Sequence, residues 1–217
     1  MNELTTFFIL AFSTLFTLIN PIGLTAVYLS MVEQFDTEER SRIAFKGTIT
    51  ALFILVIFSM IGDIIFSFYG ITISAFKIAG GILFFRTGIL MLEARIPRSR
   101  STPKEEAEAA ETKGDIAYAP IGMPLIAGPG AITSVMILSS GAAKWELKLV
   151  LFVVIILVLI LTYLIFQGAD YLTHRFGTTG IRIVQRIMGL ILMVIAVQFV
   201  IDGVTSIVLE WVKMTSS

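Results

Sequence analysis

Three long stretches of this chain contain no charged residue at all, and that constrains its fold more than any other feature. Leu4–Val32, Ile116–Ala143 and Leu149–Ala169 lack Asp, Glu, Lys and Arg entirely. A helix needs roughly 20 mostly apolar residues to cross the hydrocarbon layer, whereas barrel strands show about ten residues of alternating pattern. Continuous runs of this length predict membrane-spanning helices. Three further segments are apolar but interrupted: Gly47–Tyr69 by Asp63, Ile71–Leu92 by Lys77 and Arg86, and Ile181–Thr205 by Arg182, Arg186 and Asp202. The expected fold is all-α, with six spans, the fourth of which also reads as a re-entrant pair. The first run follows an acidic Glu3 and far exceeds the apolar core of a signal peptide, so it is expected to stay as a span.

The remaining composition narrows function by exclusion. Charged residues make up 15% of the chain, against about 25% in soluble domains. Net charge is zero, which favours no nucleic-acid partner. With no cysteine and His174 as the one histidine, thiolate or His-rich metal sites have no ligands to draw on. Ser139-Ser140 has no acidic or His partner predicted nearby. The sequence therefore predicts no catalytic residues, no metal and no cofactor, and a protein that is not an enzyme.

Orientation follows from basic residues, which accumulate in cytoplasmic loops. Six spans put both termini on one side, together with Lys77, Lys144, Lys148 and Lys213. Apart from Arg86, inside a span, all other lysines and arginines fall on the opposite side. The expectation is a multi-pass protein of the cell (inner) membrane, both termini outside, with residues 94–115 as a cytoplasmic loop. That loop holds the low-complexity run Lys104-Glu105-Glu106-Ala107-Glu108-Ala109-Ala110-Glu111 and reads as a solvated linker. It divides a first three-helix repeat (1–93) from a second (116–217).

The two halves resemble each other. Pro129 follows Pro21 by 108 positions (129 − 21), and the same offset pairs Thr25 with Thr133, Phe58 with Phe166, and Gly81 with Gly189. One gapless register serves all three spans of each half. An odd number of spans per half makes the second enter from the opposite face, so a 3+3 inverted repeat is expected. Inverted repeats recur in secondary transporters, whose substrate and ion sites lie near the bilayer midplane on discontinuous helices.

Matched breaks supply that site. The first span contains Asn20-Pro21-Ile22-Gly23 and the fourth Gly128-Pro129-Gly130-Ala131, both near the centre of their runs. Proline lacks the amide a helix needs and glycine admits non-helical angles; irregular backbone at that depth survives only where protein or a wet cavity satisfies it. New helix N-termini near Ile22, Gly23, Gly130 and Ala131 suit a carboxylate. Carbonyls before Pro21 and Pro129, with the Asn20 side chain, suit an ammonium group, and Thr25 and Thr133 offer hydroxyls within about one turn. A small zwitterion fits this set. Asp63, Lys77 and Arg86 are candidates for ion coupling, since ionisable groups within spans often serve transport.

Asn20-Pro21-Ile22-Gly23, the stretch Pro124-Leu125-Ile126-Ala127-Gly128-Pro129-Gly130-Ala131-Ile132 and Gly80-Gly81 resemble the MarC family of small six-span inner-membrane proteins along the whole chain. The resemblance implies an inverted 3+3 fold, in keeping with the broken first and fourth helices read from the residues. It also implies transport of small neutral amino acids driven by an ion gradient, Na⁺ or H⁺. Two alternatives stand beside a secondary transporter: a passive channel for small polar solutes and a drug or metabolite efflux protein. Substrate identity, oligomeric state, coupling ion, stoichiometry and direction of transport are left open by the sequence.

Overall fold

The structure, a computed structural model, describes residues 2–93 and 116–215. The linker expected at 94–115 and the Asp63 side chain lie outside the described residues. The described residues form eight helices and no strand: α1 (Glu3–Ile19), α2 (Pro21–Val32), α3 (Thr37–Tyr69), α4 (Ile73–Leu92), α5 (Ala117–Ile126), α6 (Pro129–Gly141), α7 (Trp145–Gln167) and α8 (Ala169–Thr215). Five spans are long and apolar enough to cross a membrane, and α5 with α6, bent by 59°, makes a sixth if the pair crosses as one.

Two helices, α3 and α8, extend well beyond their apolar runs because hydropathy marks membrane depth rather than helix limits. α3 begins ten residues ahead of the expected Gly47, at an Asp36 cap whose carboxylate accepts from the Glu39 amide at 2.8 Å. Such a cap satisfies one of the orphan amides at a helix start. α8 likewise starts well before Ile181 and is broken at Gly177, whose φ of 62° suits glycine. His174 is exposed in the short helical stretch before that break.

Contacts at the two ends of the bundle tie distant loops together. At one end, Lys144 pairs with Glu3, and the Glu3 hydrogen bond holds the Lys144 ammonium above its ordinary range. At the other, Arg40 reaches Asp170 at 3.5 Å, Gln167 donates to Ser41, and Tyr28 donates to the Arg40 carbonyl. The Tyr28 ring also stacks on Phe166, 4.4 Å between centroids. The N-terminus and the α6–α7 turn therefore share one end, and the α2–α3 and α7–α8 turns share the other.

Apolar side chains fill both the interior and the outer surface. Leu15, Leu55, Ile121, Ile137 and Ile155 are fully enclosed, yet Phe53, Met60, Phe68 and Val194 are each more than 60% exposed. An apolar surface this extensive needs lipid as its solvent. Trp145, Tyr171 and Trp211, also largely exposed, lie near helix ends, where amphipathic rings favour the membrane–water boundary.

Small residues set the closest helix contacts. A Cβ on Gly47 would meet the Ala117 carbonyl at 3.0 Å, so α3 lies directly on α5. The α4–α8 seam is closer still. A Cβ on Gly81 would meet the Ala196 carbonyl at 2.8 Å and the Val200 amide at 3.3 Å. One on Gly189 would meet the Gly88 carbonyl at 2.8 Å and the Leu92 amide at 2.9 Å. The offset that separates Pro129 from Pro21 carries 81, 88 and 92 onto 189, 196 and 200, so one glycine's contacts map onto the other's.

Candidate functional site at two helix breaks

The first break is one residue wide. Pro21 cannot extend α1, so the chain turns at Asn20, which adopts the left-handed conformation (φ 53°, ψ 56°). Asparagine tolerates that region better than other residues with a Cβ, apart from aspartate. Pro21 then takes the first position of α2, where its missing amide costs nothing. Asn20 serves both helices: its amide closes α1 on the Phe16 carbonyl at 2.9 Å, and its carbonyl accepts from Leu24 at 3.0 Å. α1 and α2 are 17 and 12 residues long, or about 26 and 18 Å. The turn is therefore central in a membrane of about 40–45 Å with headgroups.

The second break is wider. α5 is wound with π geometry, and Ala119 and Met123, each preceding a proline, are extended within it; a following proline disfavours helical angles. The chain leaves α5 at Ala127, and Gly128 (φ −76°, ψ 167°) precedes Pro129 at the first position of α6. The fourth run was expected to break only near Pro129; Pro120 and Pro124 interrupt it earlier.

The two breaks differ in how their new N-termini are satisfied. In α2 the Asn20 side chain folds back and accepts from the Gly23 amide at 3.2 Å. Gly23 leaves room for this cap, since a Cβ there would displace the Asn20 amide group. The expectation of a free Gly23 amide is thus corrected: Asn20 occupies it. In α6 Gly128 has no side chain to offer, and the first bond runs from the Ile132 amide to the Gly128 carbonyl. The Gly130 and Ala131 amides precede that bond and form the open N-terminus.

α1 and α6 meet at this level. A Cβ on Gly130 would stand 3.0 Å from Leu18 Cδ2, and the Glu3–Lys144 pair joins the far ends of the two helices, so they run antiparallel. One turn from Leu18 is Thr14, and one turn from Gly130 is Ser134, placing the two on facing turns. Both are 0% exposed, and neither hydroxyl has a hydrogen-bond partner. Thr25, Thr48 and Thr162, also buried, each donate to a carbonyl one turn back; the hydroxyls of Ser140 and Thr173 lack a partner too, but on residues that are only half-buried. Sequence reasoning missed Thr14 and Ser134.

The other expected residues are distributed unevenly. Pro21 is buried, Ile22 half-buried, and Pro129 exposed at the bend. Thr25 is at the break, but its hydroxyl is bonded to the Ile22 carbonyl at 2.7 Å, so as a donor it is already committed. The Thr133 methyl lies 3.0 Å from where a Gly80 Cβ would stand; that side chain packs on α4 because it projects from a different face of α6 than Ser134. Of the coupling candidates, Lys77 is half-buried on α4 and Arg86 is exposed. Arg86 is thus on the outer surface, away from the breaks. Among the described residues no three His, Cys, Asp or Glu side chains group to hold a metal ion.

An all-helical bundle with an apolar rim and two interrupted runs facing each other inside it defines an integral, multi-pass membrane protein. The profile described as MarC family integral membrane protein matches residues 5–208, and the chain belongs to that family. It is 40% identical to the UPF0056 membrane protein MJ1677 of Methanocaldococcus jannaschii, covering 91% of this chain and 96% of that one. It is 36% identical to a UPF0056 membrane protein of Aquifex aeolicus (95% and 96%) and 35% identical to the UPF0056 membrane protein YvbG of Bacillus subtilis (91% and 93%). No solved structure matches the chain at a significant level.

Proposed function

We propose that this protein is a secondary transporter of small neutral amino acids, not an enzyme, working by alternating access across the cell membrane. The observation that carries the reading is the open N-terminus of α6 against the end of α1, with two buried, uncommitted hydroxyls one turn away. The Gly130 and Ala131 amides take the substrate carboxylate, since a helix N-terminus favours an anion. The α1 carbonyls beside Asn20 take the ammonium, and Thr14 and Ser134 flank the ligand. No ionised side chain is needed. The tight Leu18–Gly130 contact limits the ligand to a small side chain.

The halves 1–93 and 116–217 act as inverted repeats in this reading, which the superposable Gly81 and Gly189 contacts and the paired breaks support. Basic residues concentrated at the Arg40–Asp170 end favour that end as cytoplasmic, with both termini outside. A Na⁺ or H⁺ gradient drives accumulation.

The test is uptake of labelled glycine, alanine and serine into proteoliposomes under imposed Na⁺ and pH gradients. Accumulation above the external concentration, abolished by collapsing the gradient, is the expected result. Equilibration without accumulation would identify a passive channel instead, and uptake of none of the three would remove the substrate class.

A further inference from the structure

The outer surface of the α4–α8 pair carries a furrow lined by Gly81, Ile82, Phe85, Ala196, Val197 and Val200, with a volume of about 220 Å³. Its walls are apolar and it exists because Gly81 lets the two backbones touch. The antiparallel register given by Gly81 on Ala196 and Gly88 on Gly189 sets Arg86 level with Ile191, and Arg186 level with Met91. Arg186 lies three turns from Val197 on the same stripe of α8, and Arg86 one turn from Ile82 on α4. Arg182 stands one turn beyond Arg186. The three form a ladder leading from the Arg40–Asp170 end of the molecule towards the furrow.

Each of these arginines is exposed, and among the described residues none pairs with a carboxylate. A guanidinium on a lipid-facing surface needs an anion or water, and its planar fork matches a phosphate. A second copy of the chain is a poor occupant: a symmetric pair across this furrow would set the same three cations against their own copies at equal depth. We infer that the furrow is a binding site for an anionic phospholipid of the leaflet at that end, one acyl chain lying between α4 and α8 and the headgroup phosphate held by Arg182, Arg186 and Arg86. Lipid-specific recognition of this kind uses basic side chains flanking membrane helices.

The experiment is native mass spectrometry of the full chain, purified in detergent and titrated with phosphatidylglycerol or phosphatidylcholine of identical chains. Wild type should retain phosphatidylglycerol with a preference on the order of 10- to 100-fold. The Arg86→Gln/Arg182→Gln/Arg186→Gln variant should lose that preference, and Val197→Trp, which fills the furrow, should retain less of either lipid. Raising the salt concentration should erode the wild-type preference without any substitution, so the claim does not depend on the variant folding. Equal retention of the two lipids by wild type, a preference unchanged in the triple variant, or a dimer displacing lipid would each overturn the inference. None of these outcomes bears on amino-acid transport.

Discussion

Thr14 and Ser134 separate what folding favours from what binding favours. A buried hydroxyl without a partner costs roughly 1–3 kcal/mol, so replacing either with an apolar isostere should relieve the fold. Thr14→Val and Ser134→Ala are therefore expected to melt at or above the wild-type temperature in detergent while binding amino acid more weakly. Loss of one neutral hydrogen bond, about 0.5–1.5 kcal/mol, predicts a fall in affinity of about 2- to 13-fold. Wild-type affinity in both variants would remove these hydroxyls from the site. Asn20 behaves differently because its backbone conformation is itself strained for other residues. Asn20→Ala loses the cap on Gly23 and forces an alanine into the left-handed region, at about 1–2 kcal/mol. Asn20→Gly loses the cap alone, and should be the more stable of the two by about 1 kcal/mol; equal thermal unfolding temperatures would contradict this account.

Helix contacts through glycine allow a sharper comparison at the level of elements. Gly81 and Gly189 face backbone atoms that cannot rotate away, whereas nothing lies within 4 Å of a Cβ on Gly141. Gly81→Ala and Gly189→Ala should each destabilise by roughly 1–3 kcal/mol through overpacking, while Gly141→Ala is neutral or slightly stabilising. Thermal unfolding followed by tryptophan fluorescence measures all three. The elements themselves were mostly legible in the sequence. Long apolar runs, three of them uncharged, marked the spans, and proline beside glycine or asparagine marked both interruptions, because each signal is local in the chain. The π-wound α5 had a readable signal in Pro120 and Pro124, each of which biases its predecessor towards extended angles. What stayed hidden depends on tertiary arrangement. Thr25 and Ser134 look equivalent in sequence; only the fold shows one hydroxyl bonded to its own helix and the other without a partner. Arg86 looked like an intramembrane functional residue, and its outward direction was invisible until α4 was set against α8.

For the whole molecule, the absence of cysteine gives a background-free test of orientation. Ala143 is exposed beside the Glu3–Lys144 end and Glu38 is exposed near the Arg40–Asp170 end. In intact cells an impermeant maleimide should label Ala143→Cys readily and Glu38→Cys only after permeabilisation. The reverse pattern would turn the molecule over in the membrane, and labelling of both from outside would contradict the span count. The ion pairs at the two ends are surface contacts, which contribute little stability, so Lys144→Ala should leave the melting temperature near wild type.

The unequal treatment of the two new helix starts has a consequence for how a ligand is read. Two halves related by a pseudo-twofold axis would offer a zwitterion a pair of rotation-related poses, head to tail and tail to head, at equal energy. Asn20 fills one anion-accepting end from within the chain, and Gly128 leaves the other vacant. The degeneracy is lifted by one carboxamide. Under the proposed transport of a zwitterion, the ligand would have a single heading, held the same whichever side of the membrane the cleft faces.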